Sequence, residues 1–184
     1  MSKIIQKKGR VGKAVFTTTL DPATGAASVH VQRAYPAGKG RTADLVWQIV
    51  SDFGGVKTLF PTLLSVYNTY ADNTASQLNM IRVMSYAPPD AQKPLSSTNP
   101  LAGGIEQLVA FDAVKRSLTY TSLSGLPLKN YRSVMQVSGK NACTLDWTST
   151  FEVDPKDSGQ VGFISVLVSI LAGGANQIAT ALGS

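Results

Sequence analysis

One cysteine and one histidine stand in 184 residues. A lone Cys143 forms no internal disulfide, which fits a reducing, cytoplasmic setting, and reads as a small core hydrophobe. A lone His30 in an alternating strand reads as an outward-facing or structural residue. It excludes most relays in which histidine activates a serine, and it leaves too few ligands for a metal site. Phosphate loops are missing as well. Gly54-Gly55 and Gly103-Gly104 fit neither the dinucleotide nor the Walker pattern, so no nucleotide or other cofactor is expected. Charged residues amount to 15% against 43% hydrophobic, a globular profile with an apolar lean. The most apolar stretch, residues 161–172, is short for a membrane span, so no stable membrane insertion is expected. The N-terminus is basic without an apolar run behind it, unlike a secretory signal.

The net charge of +6 is uneven. Lys3, Lys7, Lys8, Arg10 and Lys13 all precede the first acid, Asp21, whereas residues 14–184 carry twelve basic and eleven acidic side chains. Residues 1–13 therefore read as a solvated, flexible tail, or else as a weak electrostatic anchor for nucleic acid or anionic lipid. No aromatic interleaves these cations, which counts against a single-strand platform, and no nucleic-acid partner is expected. Residues 14–184 read as one domain with an N-terminal hairpin extension.

That hairpin comprises strands over 14–20 and 27–35, joined by the turn residues Asp21 to Gly25, with alternation at Val29, Val31 and Ala34. Thr42 can cap a helix whose apolar side is Ala43, Val46, Trp47 and Val50. Gly54-Gly55 would end it with a left-handed cap. A second short helix covers 56–60, closed by Pro61. Strands follow at about 63–71, 77–86, 104–112, 117–124, 130–138 and 143–153. A loop over 87–103, with Pro88, Pro89, Pro94 and Pro100, is long enough to be functional. A final helix spans about 159–182, with an apolar stripe of Phe163, Val166, Leu167, Ile170, Leu171, Ile178 and Leu182. Gly173-Gly174 interrupts it at about 1 kcal/mol per glycine, so the helix either kinks there or leaves room for a neighbour. An antiparallel sheet must bury one face, and this helix is the long apolar element available. A curved sheet gripping one helix leaves a cavity.

Residues 43–53, Ala-Asp-Leu-Val-Trp-Gln-Ile-Val-Ser-Asp-Phe, resemble the first helix of START-like polyketide cyclase/dehydrase proteins. Gly104 to Leu108 followed by Phe111-Asp112 resembles that superfamily's central strand. Pro127 to Val134 resembles its next strand and is especially similar to plant abscisic-acid receptors. Together these cover about 27–182, in order. The resemblance implies an α+β helix-grip fold of the birch-pollen-allergen kind, with two short helices after the first core strand. It also implies a cavity for a small, mostly apolar molecule such as a lipid, sterol, isoprenoid or aromatic, polyketide-like metabolite.

By the same resemblance Glu106 matches a cavity carboxylate, Tyr120 a cavity aromatic, and Tyr131 and Ser133 a pocket tyrosine and serine. Phe60 stands where the receptors carry the lysine that pairs with the hormone carboxylate, and Ser149 near their glutamate. The receptor gate and latch are replaced by 87–103 and Leu126-Pro127. A carboxylate ligand in that pose would lack its counter-ion, so abscisic acid is rejected. Trp147, Val166 and Ile170 complete the expected lining. Glu106 is either an acid/base, if buried, or a glutamate satisfied by hydrogen bonds or water. Tyr120, Tyr131 and Trp147 form either a cavity wall or ordinary core. Three functions follow: a binding module; a cofactor-free cyclase, dehydratase or isomerase with Glu106 as acid/base and Tyr120 or Tyr131 donating to a carbonyl or enolate; or an interaction protein. In the last, strand 14–20 as a sheet edge would allow a homodimer.

Overall fold

The computed structural model describes residues 4–38, 42–69, 78–86 and 102–183. Among them, nine strands form one antiparallel sheet: β1 (Ile5–Val11), β2 (Ala14–Leu20), β3 (Ala26–Tyr35), β4 (Ser65–Asn68), β5 (Ile81–Tyr86), β6 (Ala102–Asp112), β7 (Ser117–Ser124), β8 (Lys129–Gly139) and β9 (Cys143–Glu152). The spatial order is β1-β2-β3-β9-β8-β7-β6-β5-β4. The helices are α1 (Ala43–Ser51) and α2 (Ser158–Ala181), with a single 3-10 turn at Val56–Thr58 between α1 and β4. This is the curved sheet and long C-terminal helix of the helix-grip fold.

Period-two patterning places the core. On β9, Cys143, Leu145, Trp147, Ser149 and Phe151 all point inward. On β3 the inward set is Ala27, Val29, Val31, Arg33 and Tyr35. Ala34, read from the sequence as part of that alternation, faces out. His30 also faces out, with Nε2 3.0 Å from Asp146 Oδ1, and Cys143 is buried as a small hydrophobe.

Residues 5–11, expected in a flexible tail, form β1 and pair residue for residue with β2. Asn176 on α2 donates its Nδ2–H to the Val11 carbonyl at 2.8 Å, which pins the hairpin tip to the helix. β2 therefore lies between β1 and β3, and the sheet edge is β1, not 14–20. Most of the 87–103 loop, 87–101, lies outside the described residues.

Thr42 caps α1 as expected, its Oγ1 accepting from the Leu45 amide at 3.3 Å. The expected glycine cap is absent, because the α1 C-cap is Asp52 and Gly55 has a φ of −81°. Gly55 is required for a different reason. Its amide donates to Asp52 Oδ1 at 2.7 Å, and a Cβ there would lie 1.9 Å from Asp52 Oδ2.

Asp157 caps α2 through the amides of Gly159 and Gln160. α2 runs unbroken for 24 residues and carries no charged side chain. By length and composition it could cross a membrane, contrary to the sequence-based expectation. Here Ile164, Leu167, Val168, Leu171, Ala172, Ala175 and Ile178 bury one side of it in the core. Of the expected stripe, Val166 is turned out, 49% exposed. The helix rests on β1, β2, β3 and the 3-10 turn. The glycine pair produces no break: a Cβ on Gly173 would meet nothing, whereas one on Gly174 would lie 3.0 Å from the Phe60 ring and 3.1 Å from Trp147. Gly174 is the space that those two rings use.

Candidate functional site

Between α2 and the β5–β8 part of the sheet lies a cavity of about 310 Å³. Phe163, Leu167, Ile170 and Leu171 wall it from the helix, Met84, Gly104, Glu106, Tyr120, Tyr131 and Trp147 from the sheet, and Phe60 from the segment after the 3-10 turn. Leu126 and Gly125 stand at the β7–β8 turn. Gly125 has a φ of +93°, and a Cβ there would lie 2.1 Å from the Gly103 carbonyl oxygen, so only glycine lets the turn close against β6.

Arg82 and Glu106 are direct cross-strand partners on β5 and β6. Register therefore faces a guanidinium with a carboxylate on the inner side of the sheet. Arg82 Nε–H donates to Glu106 Oε2 at 2.7 Å, and Nη2 approaches the same oxygen at 2.5 Å. Nη1–H donates to the Phe53 carbonyl at 3.0 Å. The guanidinium lies 4.0 Å from the centroid of the Phe53 ring and 5.0 Å from that of Tyr120. Both charges are nearly buried, at 5% and 8% exposure. A buried charge is tolerated when paired and hydrogen-bonded, and here each meets the other.

Next to this pair runs a chain of hydroxyls. Trp147 Nε1–H lies 2.9 Å from Ser133 Oγ and 3.1 Å from Tyr120 Oη, donating toward both. Ser133 and Ser149 oxygens are 2.9 Å apart, and Tyr131 Oη is 3.0 Å from Ser149 Oγ. The strands set this up, since Tyr120 opposes Ser133 and Ser133 opposes Ser149. Burial pushes the Tyr120 hydroxyl well above its ordinary pKa, with the neighbouring Tyr131 and Glu106 adding to the effect. Burial likewise raises Tyr131, with Glu106 adding. Both phenols are protonated donors at neutral pH.

Of the residues expected at the site, Phe60, Glu106, Tyr120, Tyr131, Trp147 and Ile170 converge on the cavity. Ser133 and Ser149 do not line it. They are fully buried behind the wall and hold the Tyr131 and Trp147 side chains in place. Val166 is on the solvent side of α2. Glu106 is buried and held in a hydrogen-bonded ion pair with Arg82.

Sequence reasoning missed Arg82. Its signal was present: Met80, Arg82 and Met84 alternate along one strand, and a cation in an otherwise apolar inner stripe calls for a buried counter-charge. The cavity wall does carry a cation, supplied by β5 and not by the Phe60 position, and already engaged by Glu106.

Structure comparison finds the same fold in proteins of low sequence identity. Norcoclaurine synthase from Thalictrum flavum, solved with dopamine and hydroxybenzaldehyde, superposes at a TM-score of 0.62 and 18% identity, over 86% of this chain and 87% of that one. The protein XoxI from Bacillus cereus gives a TM-score of 0.62 at 20% identity, over 84% and 94%. A Thermobifida fusca protein gives 0.62 at 24%, over 85% and 93%. A search of curated protein sequences finds no match. The sequence signature of one family spans residues 39–183, from just before α1 to the end of α2. The chain belongs to the polyketide cyclase / dehydrase and lipid transport family.

Proposed function

We propose that this chain binds a small, uncharged, mostly apolar organic molecule, its apolar body against α2 and its one polar end against Arg82, Glu106 and Tyr120. The observation that carries this reading is the 310 Å³ cavity, mostly apolar, whose polar lining is one internally neutralised ion pair, Ser122 and the polar tips of Tyr120, Tyr131 and Trp147. Among the described residues of the lining a charged guest would find no free counter-charge, because Arg82 and Glu106 satisfy each other. The volume lies near the lower end of the range of about 300–1,000 Å³ for small-molecule pockets, which favours an isoprenoid or aromatic metabolite over a two-chain lipid. A guest burying about 300 Å² of apolar surface gains about 7.5 kcal/mol before ordering costs, so low-micromolar binding is about the tightest expected from apolar burial alone. Native mass spectrometry of freshly purified protein, followed by extraction, tests this reading. A neutral apolar co-purifying molecule supports it, and an exclusively anionic one counts against it.

One observation favours a second reading, a cofactor-free cyclase, dehydratase or isomerase. The protonated Tyr120 and Tyr131 hydroxyls are donors suited to a developing oxyanion. Glu106 would be the acid/base, and on this reading it must act while Arg82 holds Oε2. Glu106→Gln separates the two functions. Ligand held but turnover lost identifies the enzyme; ligand held by both forms with no turnover by either identifies the binding module.

A further inference from the structure

The two edges of the sheet differ. β4 offers four residues, too short to template another strand well. β1 offers seven, six of them exposed, including Ile5 at 57%. Its outer side presents main-chain groups that β2 does not use.

β1 also carries Lys7, Lys8 and Arg10, and neither it nor β2 contains an acid. Among the described residues no carboxylate pairs with any of these three cations. They split between the two faces of the strand. Lys7 shares the α2 side with Val11, where both border a groove shared with Ile164 and Val168, while Lys8 and Arg10 face the opposite side.

A second copy of the chain is a poor occupant. Antiparallel self-pairing centred on Lys7, Lys8 or Gly9 places Lys7 on Lys7, Lys8 on Lys8, or Lys8 on Arg10. Like charges directly opposite one another destabilise a strand pair. A nucleic acid or a lipid surface would be met best by cations gathered on one face, which this strand does not have. A main-chain edge that no described strand covers, flanked by cations on both faces, is matched by an extended chain whose own side chains alternate and include acids.

We propose that β1 is a docking edge for an acidic, extended peptide segment of a partner protein, added as a tenth strand. Main-chain hydrogen bonds supply the pairing, and carboxylates opposite Lys7, Lys8 and Arg10 set the register. The edge is remote in sequence from the cavity, so this proposal stands whether or not the cavity holds a ligand.

The test uses the full chain and a capped peptide of the length of β1, with glutamates placed to face Arg10, Lys8 and Lys7 in a threonine and valine background. Amide hydrogen exchange is followed along β1. At low salt the peptide is expected to slow exchange of the outward β1 amides at least tenfold, and the effect fades as salt is raised. A peptide of the same charge with prolines at alternate positions should give no protection. Lys8→Glu/Arg10→Glu should lose the glutamate peptide and gain its lysine counterpart. Equal protection by the proline peptide would overturn the proposal, because charge alone would then suffice. So would no protection by the glutamate peptide, equal protection by single-stranded DNA or anionic vesicles, or dimerisation through β1 without peptide.

Discussion

α2 covers the concave face of the sheet unevenly. Over β3 and the adjoining part of β9 the space is filled: Val29, Val31, Leu145, Ala172 and Ala175 are completely buried. Over β5 to β8 the space is hollow and its wall includes Arg82, Glu106, Tyr120 and Tyr131. Small aliphatic side chains let the helix approach one half. In the other half, side chains spend their bulk on one another: the Arg82 guanidinium lies against both the Phe53 and the Tyr120 rings, and the serine pair anchors Trp147 and Tyr131. The filled half is held by packing and the hollow half by polar pairing, so the two should respond differently to mutation.

The largest expected effect is at the ion pair. Arg82→Met keeps bulk but leaves Glu106 buried without its partner, and should cost about 3–5 kcal/mol in urea denaturation. Adding Glu106→Gln should return much of that loss. A double mutant no more stable than Arg82→Met alone would show that the hollow half does not depend on this pairing.

Trp147→Phe tests the hydroxyl chain. It removes the N–H shared by Tyr120 and Ser133 and should cost about 1–3 kcal/mol by the same assay.

The adjacent glycines on α2 sharpen the contrast within two residues. Gly174→Ala should overpack Phe60 and Trp147, costing about 1–3 kcal/mol against a helix-propensity gain of about 1 kcal/mol. Gly173→Ala meets nothing and should stabilise by about 0.5–1 kcal/mol. Thermal melts of the two variants are expected to move in opposite directions.

A gentler probe is alkaline pH. Tyr35, Tyr120 and Tyr131 all have pKa values raised by burial above the ordinary 10.0. The unfolded chain then ionises first, so the stability these groups contribute is complete below about pH 10 and is lost as pH rises through their folded values. Tyr131→Phe should flatten part of that decline while leaving the curve below pH 9 level.

The element order was legible because strand alternation and helix spacing are local. β7 and β9 were read almost residue for residue, and Thr42 was recognisable as a cap. The residues that misled depend on tertiary geometry. Whether Ser133 and Ser149 touch a ligand or stand behind a tyrosine is decided by adjacent strands, since both point inward either way. Val166 and Leu167 differ by one step around a helix, and the seat of that helix on β3 decides which is buried. β1 looked like a tail because its charge hides its pairing with the threonine-rich β2. Arg82 was readable in principle, but only by asking where the partner of an inner-face cation would lie.

The hollow itself is tested most directly by filling it. Gly104 lies on the cavity wall, and a Cβ there would have only the Met84 methyl and the Ser124 carbonyl oxygen within reach, at 3.5 and 3.8 Å. Gly104→Leu should therefore project a side chain into the space. Titration of the full chain with a neutral naphthol or an isoprenoid alcohol, read by native mass spectrometry, should give saturable one-to-one binding that weakens at least tenfold in the folded Gly104→Leu variant. Equal affinity in both proteins, or no binding of either probe to the unaltered chain, would contradict a cavity built to hold a neutral apolar guest.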